Sequence, residues 1–290
     1  MITVSFFSYK GGAGRTSLMF NTLPYIAKKL NATEREPIVV LDLDLDSKGL
    51  SYLIGQESGI NSIQVLRGDS AIGFRTQANL QEHPFFSKLV PIGSEVGLDH
   101  SLDRSILFVS AHSKEGAETL GDSNYDGSNL SLSTLRKLCK QYNCKAIVMD
   151  TPAGNQISGE CALSLSKKIV VTMRITNQFR MGTKEFLKIK STQYSGKEYI
   201  LVPNAVPSTD NTPYSMENIM HSIKLTMRES VGNENEMNET IIDMNGINEV
   251  NRFKFNEESL LKLSKDTELS EDEQRALESY KILADVIAGE

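Results

Sequence analysis

The chain has 290 residues, of which 39% are hydrophobic and 23% charged, and a formal net charge of −6. This is the composition of a soluble globular protein large enough for a substantial core, and its acidity argues against a protein that coats nucleic acid over its whole surface. No apolar run reaches the length of a membrane span, and the opening Met1-Ile2-Thr3-Val4-Ser5-Phe6-Phe7 lacks the basic start of a signal peptide, so a cytoplasmic location is expected.

Residues 2–7 are β-branched and aromatic and predict a buried strand, and Leu18, Leu23, Ile26, Ala27 and Leu30 predict a helix over 16–30. Between them runs Phe6-Phe7-Ser8-Tyr9-Lys10-Gly11-Gly12-Ala13-Gly14-Arg15-Thr16-Ser17. A strand, a glycine-rich loop and a helix in that order form a phosphate-binding device: successive backbone N–H groups and the positive end of the helix hold the anion. The ordinary loop reads G-x-x-x-x-G-K-[ST]. Here Tyr9 replaces its first glycine and Arg15 its lysine, while Thr16 keeps the hydroxyl that ligates Mg²⁺ in such loops. Arg15 keeps a permanent charge on a bulkier, planar group, so phosphate binding is a firmer expectation than turnover.

The run Ile38-Val39-Val40-Leu41 predicts a parallel strand buried on both faces, which delivers Asp42 and Asp44 at its carboxyl end. From 55 to 128 the composition predicts an irregular insertion interrupted by a strand at 106–109, with an exposed loop at 119–129. A helix near 131–142 then leads to a strand at 146–149 ending in Asp150-Thr151-Pro152-Ala153-Gly154. A strand at 169–173, a helix near 179–192 and a strand at 199–202 ending in Pro203-Asn204 continue the alternation. Strands alternating with helices predict an α/β fold, a mostly parallel sheet flanked by helices on both faces. A single domain over 1–290 is expected, with a C-terminal helical extension at 208–290 that contains an acidic loop at 230–240 and an amphipathic helix over 271–288.

Cys139, Cys144 and Cys161 form no C-x-x-C pair and read as buried thiols, and the four histidines lack ligand spacing. Between 167 and 197 stand eight basic residues against the single acid Glu185, which reads as a solvated helix face or, alternatively, as a surface for an anion such as DNA.

Lysine before two glycines, an acidic pair ending the second strand and Asp-Thr-Pro-Ala-Gly ending a later one together resemble the ParA/MinD family of deviant Walker ATPases, over about residues 1–207. The match is closest to a subgroup with a K-G-G-x-G-R-T loop and a second strand ending D-x-D-L-E-x-P-G-L, where this chain has Asp42-Leu43-Asp44-Leu45-Asp46-Ser47-Lys48-Gly49-Leu50. The resemblance implies ATP and Mg²⁺ as ligands and an ATP-dependent homodimer. It makes Lys10 the signature lysine that reaches the partner's phosphates, and it gives Gly11, Gly12, Ala13, Gly14 and Arg15 to the phosphate cradle. Thr16 would sit on Mg²⁺ and Ser17 beside the α-phosphate. Asp42 would be the outer-shell magnesium aspartate, Asp44 the group orienting the attacking water, Asp150 the Walker B aspartate, Gly154 the switch glycine that senses a γ-phosphate, and Asn204 the reader of the base.

Departures narrow the function that the resemblance implies. The D-x-D-P-Q-G-N segment of plasmid-partition ATPases is absent, the final helix is not a basic amphipathic anchor of the kind that binds membranes, and no terminal tyrosine cluster marks a kinase. The leading expectation is an ATP-driven dimerisation switch with slow hydrolysis, acting on protein partners of an operon-encoded system such as bacterial signalling or phage defence. The alternatives are a scaffold that holds nucleotide with negligible turnover and a DNA-associated ATPase using the 167–197 segment.

Overall fold

The computed structural model describes residues 1–68, 79–112, 130–206, 221, 241–243, 246–254 and 257–289. The loops expected at 119–129 and 230–240 lie outside the described residues.

Among the described residues eight strands form one sheet: β1 (Ile2–Phe7), β2 (Ile38–Asp42), β3 (Val90–Pro91), β4 (Ile106–Val109), β5 (Ala146–Asp150), β6 (Lys168–Met173), β7 (Glu198–Pro203) and β8 (Ile241–Asp243), in the order β3-β4-β2-β5-β1-β6-β7-β8. Every neighbouring pair is parallel except β3 with β4. The mostly parallel sheet expected from the alternation is therefore observed.

The strands are apolar throughout because both faces are covered. Val4, Phe6, Val40, Val148 and Ile200 face α1 (Arg15–Lys29) and the last helix, α8 (Glu271–Ala288), through Leu18, Leu23, Ile26, Tyr280 and Leu283. The residues between them point the other way, since successive strand side chains alternate. Val39, Leu41, Ile147 and Met149 pack on α4 (Ser133–Gln141), and Phe7, Ile169, Val171 and Leu201 pack on α6 (Asn177–Gln193), where Phe7 stacks on Phe186 with ring centroids 4.0 Å apart.

From β1 the chain moves to β2, on the far side of β5, and only later fills the opposite side with β6 and β7. The strand order reverses at β1, and such a reversal opens a crevice beyond the carboxyl ends of the strands. Ser8, Asp42, Asp150 and Asn204 all stand at that edge.

The region expected to be irregular carries more order than its composition suggested. It holds α3 (Ser62–Arg67), closed by a capping box in which Asn61 and Gln64 exchange two 2.9 Å bonds, and β3 on the sheet edge. Short helices α2 (Gly49–Ile54), α5 (Ile157–Leu165) and α7 (Leu260–Asp266) also had no counterpart in the sequence reading. Cys139 and Cys144 are buried as expected, but Cys161 is only partly covered because α5 turns it towards a surface groove. Among the described residues no helix is long and apolar enough to cross a membrane.

Candidate functional site

The glycine-rich loop is braced from behind. Arg174 Nε donates to the Gly12 carbonyl at 2.8 Å, and Asn204 Nδ2 donates to the carbonyls of Ala13 at 2.9 Å and Gly14 at 3.4 Å. In a trans peptide the N–H points opposite to the C=O. Holding these three carbonyls outward therefore turns the amides of Ala13, Gly14 and Arg15 into the loop. Gly14 adopts φ 74°, where a side chain is strained, and a Cβ there would come within 2.5 Å of Asn204 Nδ2. The first hydrogen bond of α1 runs from Leu18 N–H to the Gly14 carbonyl at 2.9 Å, so the amides of Arg15, Thr16 and Ser17 stand ahead of the helical ladder. The loop presents a row of donors at the positive end of a helix.

Beside it lie three strand-end carboxylates. Asp42 and Asp150 are register partners on β2 and β5. Asp42 accepts from the Ser51 amide at 2.8 Å, the Ser51 hydroxyl at 2.7 Å and the Asp44 amide at 3.1 Å. Burial and the neighbouring Asp150 push its carboxyl up to about 7 against the pull of those bonds. Asp150 accepts from Thr16 Oγ1 at 2.7 Å, and burial pushes it up too, against the opposing pull of Arg15 and Thr16.

Arg15 is not above the loop. Its guanidinium is 7% exposed and bridges two of the carboxylates: Nε donates to Asp150 at 2.5 Å and Nη2 to Asp44 at 2.8 Å, with Nη1 3.5 Å from the Ser8 hydroxyl. Burial opposes its charge, but Asp150 and Asp44 outweigh that effect and hold the guanidinium protonated. The expected phosphate-cradling role is thus not the one this geometry displays. A bulky cation one residue into α1 finds its nearest anions at the strand ends.

No protein-family model matches the sequence, and no curated protein resembles it by sequence. Solved structures do match its fold. The septum site-determining protein MinD of Pyrococcus horikoshii OT3, complexed with Mg-ADP, matches with a TM-score of 0.62 at 14% identity, covering 99% of this chain and 95% of that one. A ParA family ATPase from Chlorobium tepidum TLS matches with a TM-score of 0.60 at 14% identity, covering 98% of each chain. MinD in the MinC:MinD cell division complex of Aquifex aeolicus matches with a TM-score of 0.58 at 16% identity, covering 98% and 96%. The chain has the MinD/ParA fold.

Within that fold, the residues present fit a nucleotide phosphate and Mg²⁺. The inward amides suit phosphate, and Ser17 Oγ is buried without a hydrogen-bond partner beside the loop. Thr16 and Asp150 already touch, which is the hydroxyl and carboxylate pair that a hard cation takes together with phosphate oxygens. Asp42 is turned to Ser51, whose amide and hydroxyl both donate to it.

Other expected positions are placed differently from one another. Lys10 is exposed and borders a shallow cavity with Gly154, Gln178, Met181 and Glu185. Tyr9 before it lies against α6, where a Cβ on Gly182 would meet the ring at 2.1 Å. The Gly154 N–H donates to the Ser8 carbonyl at 3.2 Å, so sensing a phosphate would require that bond to be exchanged. Sequence reasoning missed Ser51 and Gly182 altogether, and placed Arg174 only in the basic segment. A glycine inside a helix that otherwise reads continuously is the signal that could have found Gly182.

Four of the eight basic residues of the 167–197 segment are engaged within the fold, while Arg180, Lys184 and Lys188 share one row of α6 at four-residue spacing. Lys168 pairs with Glu198 at 3.1 Å, Arg174 holds the loop, Lys190 pairs with Glu160 at 2.5 Å, and Lys197 donates to the carbonyls of Leu163, Ser164 and Ser166.

Proposed function

We propose that the protein is an ATP- and Mg²⁺-dependent dimerising switch with slow hydrolysis, which acts on protein partners. The observation that carries this reading is the braced loop, whose inward amides meet the Thr16–Asp150 pair at the point where the strand order reverses. Neighbours of the same fold described as complexed with Mg-ADP, and with MinC, support the ligand and the protein-partner mode.

In this reading the amides of Gly11 to Ser17 hold the phosphates, Thr16 and Asp150 hold Mg²⁺, and Asp42 orients that shell. Bound Mg²⁺ supplies charge neutralisation at the phosphates. Asp44, once released by Arg15, orients the attacking water. Lys10, exposed at the rim, reaches the nucleotide of a second subunit, and Asn204 stands beside the base. The site is thereby completed only in a dimer. A role in a bacterial multi-component system such as signalling or phage defence rests on the K-G-G-x-G-R-T loop type. The engagement of Lys168, Arg174, Lys190 and Lys197 within the fold weighs against the DNA-bound alternative.

The decisive measurement is sedimentation with and without Mg-ATP. Wild type is expected to dimerise with Mg-ATP, and Lys10→Ala to bind ATP within about threefold of wild type yet remain monomeric. Dimers formed equally by Lys10→Ala would overturn the role of Lys10. Micromolar ATP affinity with no phosphate release, even with a partner present, would favour the scaffold reading, for which the Arg15 clamp on Asp44 is the supporting observation.

A further inference from the structure

Away from the loop, α4 and α5 border a groove of about 730 Å³. Its residues recur at helical spacing: Ser133, Arg136, Lys137 and Lys140 on α4, and Ile157, Glu160, Cys161, Ser164 and Leu165 on α5. Two unlike strips result. One is apolar, formed by Leu130, Ile157, Cys161 and Leu165, with Ile157 51% exposed. The other is cationic, formed by Arg136, Lys137 and Lys140.

Among the described residues these cations have no counter-ion. The Nε of Arg136 is buried without a hydrogen-bond partner, and Lys137 and Lys140 are exposed with no ion pair among the described residues. The one acid among the described residues of the groove, Glu160, is already engaged by Lys190 at 2.5 Å and by the Tyr194 hydroxyl. On a chain of net charge −6, this leaves a local positive strip beside exposed apolar surface.

We propose that this groove docks an acidic, amphipathic helical segment of a partner protein, its apolar side on Ile157, Cys161 and Leu165 and its carboxylates on Arg136, Lys137 and Lys140. The nine residues of α5 give a seat of about 13 Å, two to three helical turns of a partner. Nucleic acid fits less well, because half of the groove is apolar and its cations form one short row. α5 begins three residues after Gly154, so an occupant would contact the helix that leads from the candidate site. The docking stands on the groove itself and does not depend on the nucleotide cycle.

The test uses the full chain and a fluorescein-labelled synthetic helical peptide of about 14 residues, with leucine on one face and glutamate on the other. A matched leucine–lysine peptide and a duplex oligonucleotide serve as comparisons. The leucine–glutamate peptide is expected to bind with Kd of about 10–100 μM, at least about tenfold more weakly to the K137E/K140E double variant, and more weakly as salt rises. Cys161 is the partly covered thiol of the three, and its alkylation by iodoacetamide is expected to slow at least about fivefold when the peptide is bound. Both lysines are exposed, so an unchanged melting temperature of the double variant confirms its fold. The proposal is overturned by absence of binding at high micromolar peptide, by equal binding of the lysine peptide, by indifference to K137E/K140E, by unprotected Cys161, or by a duplex that binds more tightly and competes the peptide away.

Discussion

Arg15→Ala is expected to lower the melting temperature by about 10 °C, corresponding to a loss of about 3–5 kcal/mol when one partner of a buried ion pair is removed. The guanidinium is 7% exposed and binds Asp150 and Asp44, side chains that are 0% and 10% exposed. Without it, Asp42, Asp44 and Asp150 converge with no cation among them, a configuration that burial penalises. Mg²⁺ alone is then expected to recover part of the loss in Arg15→Ala, about 1–2 kcal/mol at a concentration ten times its Kd, while leaving wild type almost unmoved. Arg15→Lys keeps the charge but loses the planar fork that spans two carboxylates, so an intermediate melting temperature is expected. The readout is a thermal melt with and without Mg²⁺, in the absence of nucleotide. Equal melting of Arg15→Ala and wild type would show that the bridge contributes nothing to the fold.

Gly182→Val is expected to weaken Mg-ATP-dependent dimerisation about 10–100-fold while changing ATP affinity less than about threefold. Its Cβ would sit 2.1 Å from Cδ1 and Cε1 of Tyr9, so the ring must leave α6. Tyr9 is 40% exposed and can swing outward, so the fold survives, and valine in place of glycine does not weaken the helix itself. The backbone that carries Lys10 loses its seat. The Arg174 and Asn204 braces act three to five residues further on and are untouched. Analytical ultracentrifugation paired with calorimetric titration separates the two effects, and a variant that dimerises like wild type would remove the Tyr9–Gly182 contact from the positioning of Lys10.

The sequence made the central strands legible because each is a short apolar run with a polar residue at its carboxyl end. Asp42, Asp150 and Asn204 could be placed on one edge for that reason. The short helices were illegible for a different reason: α2, α3 and α7 span six or seven residues, too few for a 3.6-residue period to show, although Asn61 and Gln64 did carry a capping signal. Arg15 shows the limit of reading a side chain by its motif position. The loop identifies it as the cation of the site, whereas Asp44 and Asp150, distant in sequence, decide which anions it faces.

The bracing of the loop by Arg174 and Asn204 also sets a thermodynamic signature. A loop whose carbonyls are already fixed has little conformational entropy left to lose when an anion arrives. Phosphate capture should therefore resemble filling a rigid mould rather than folding around a guest: association limited mainly by encounter, and a heat-capacity change reporting the base pocket more than the loop.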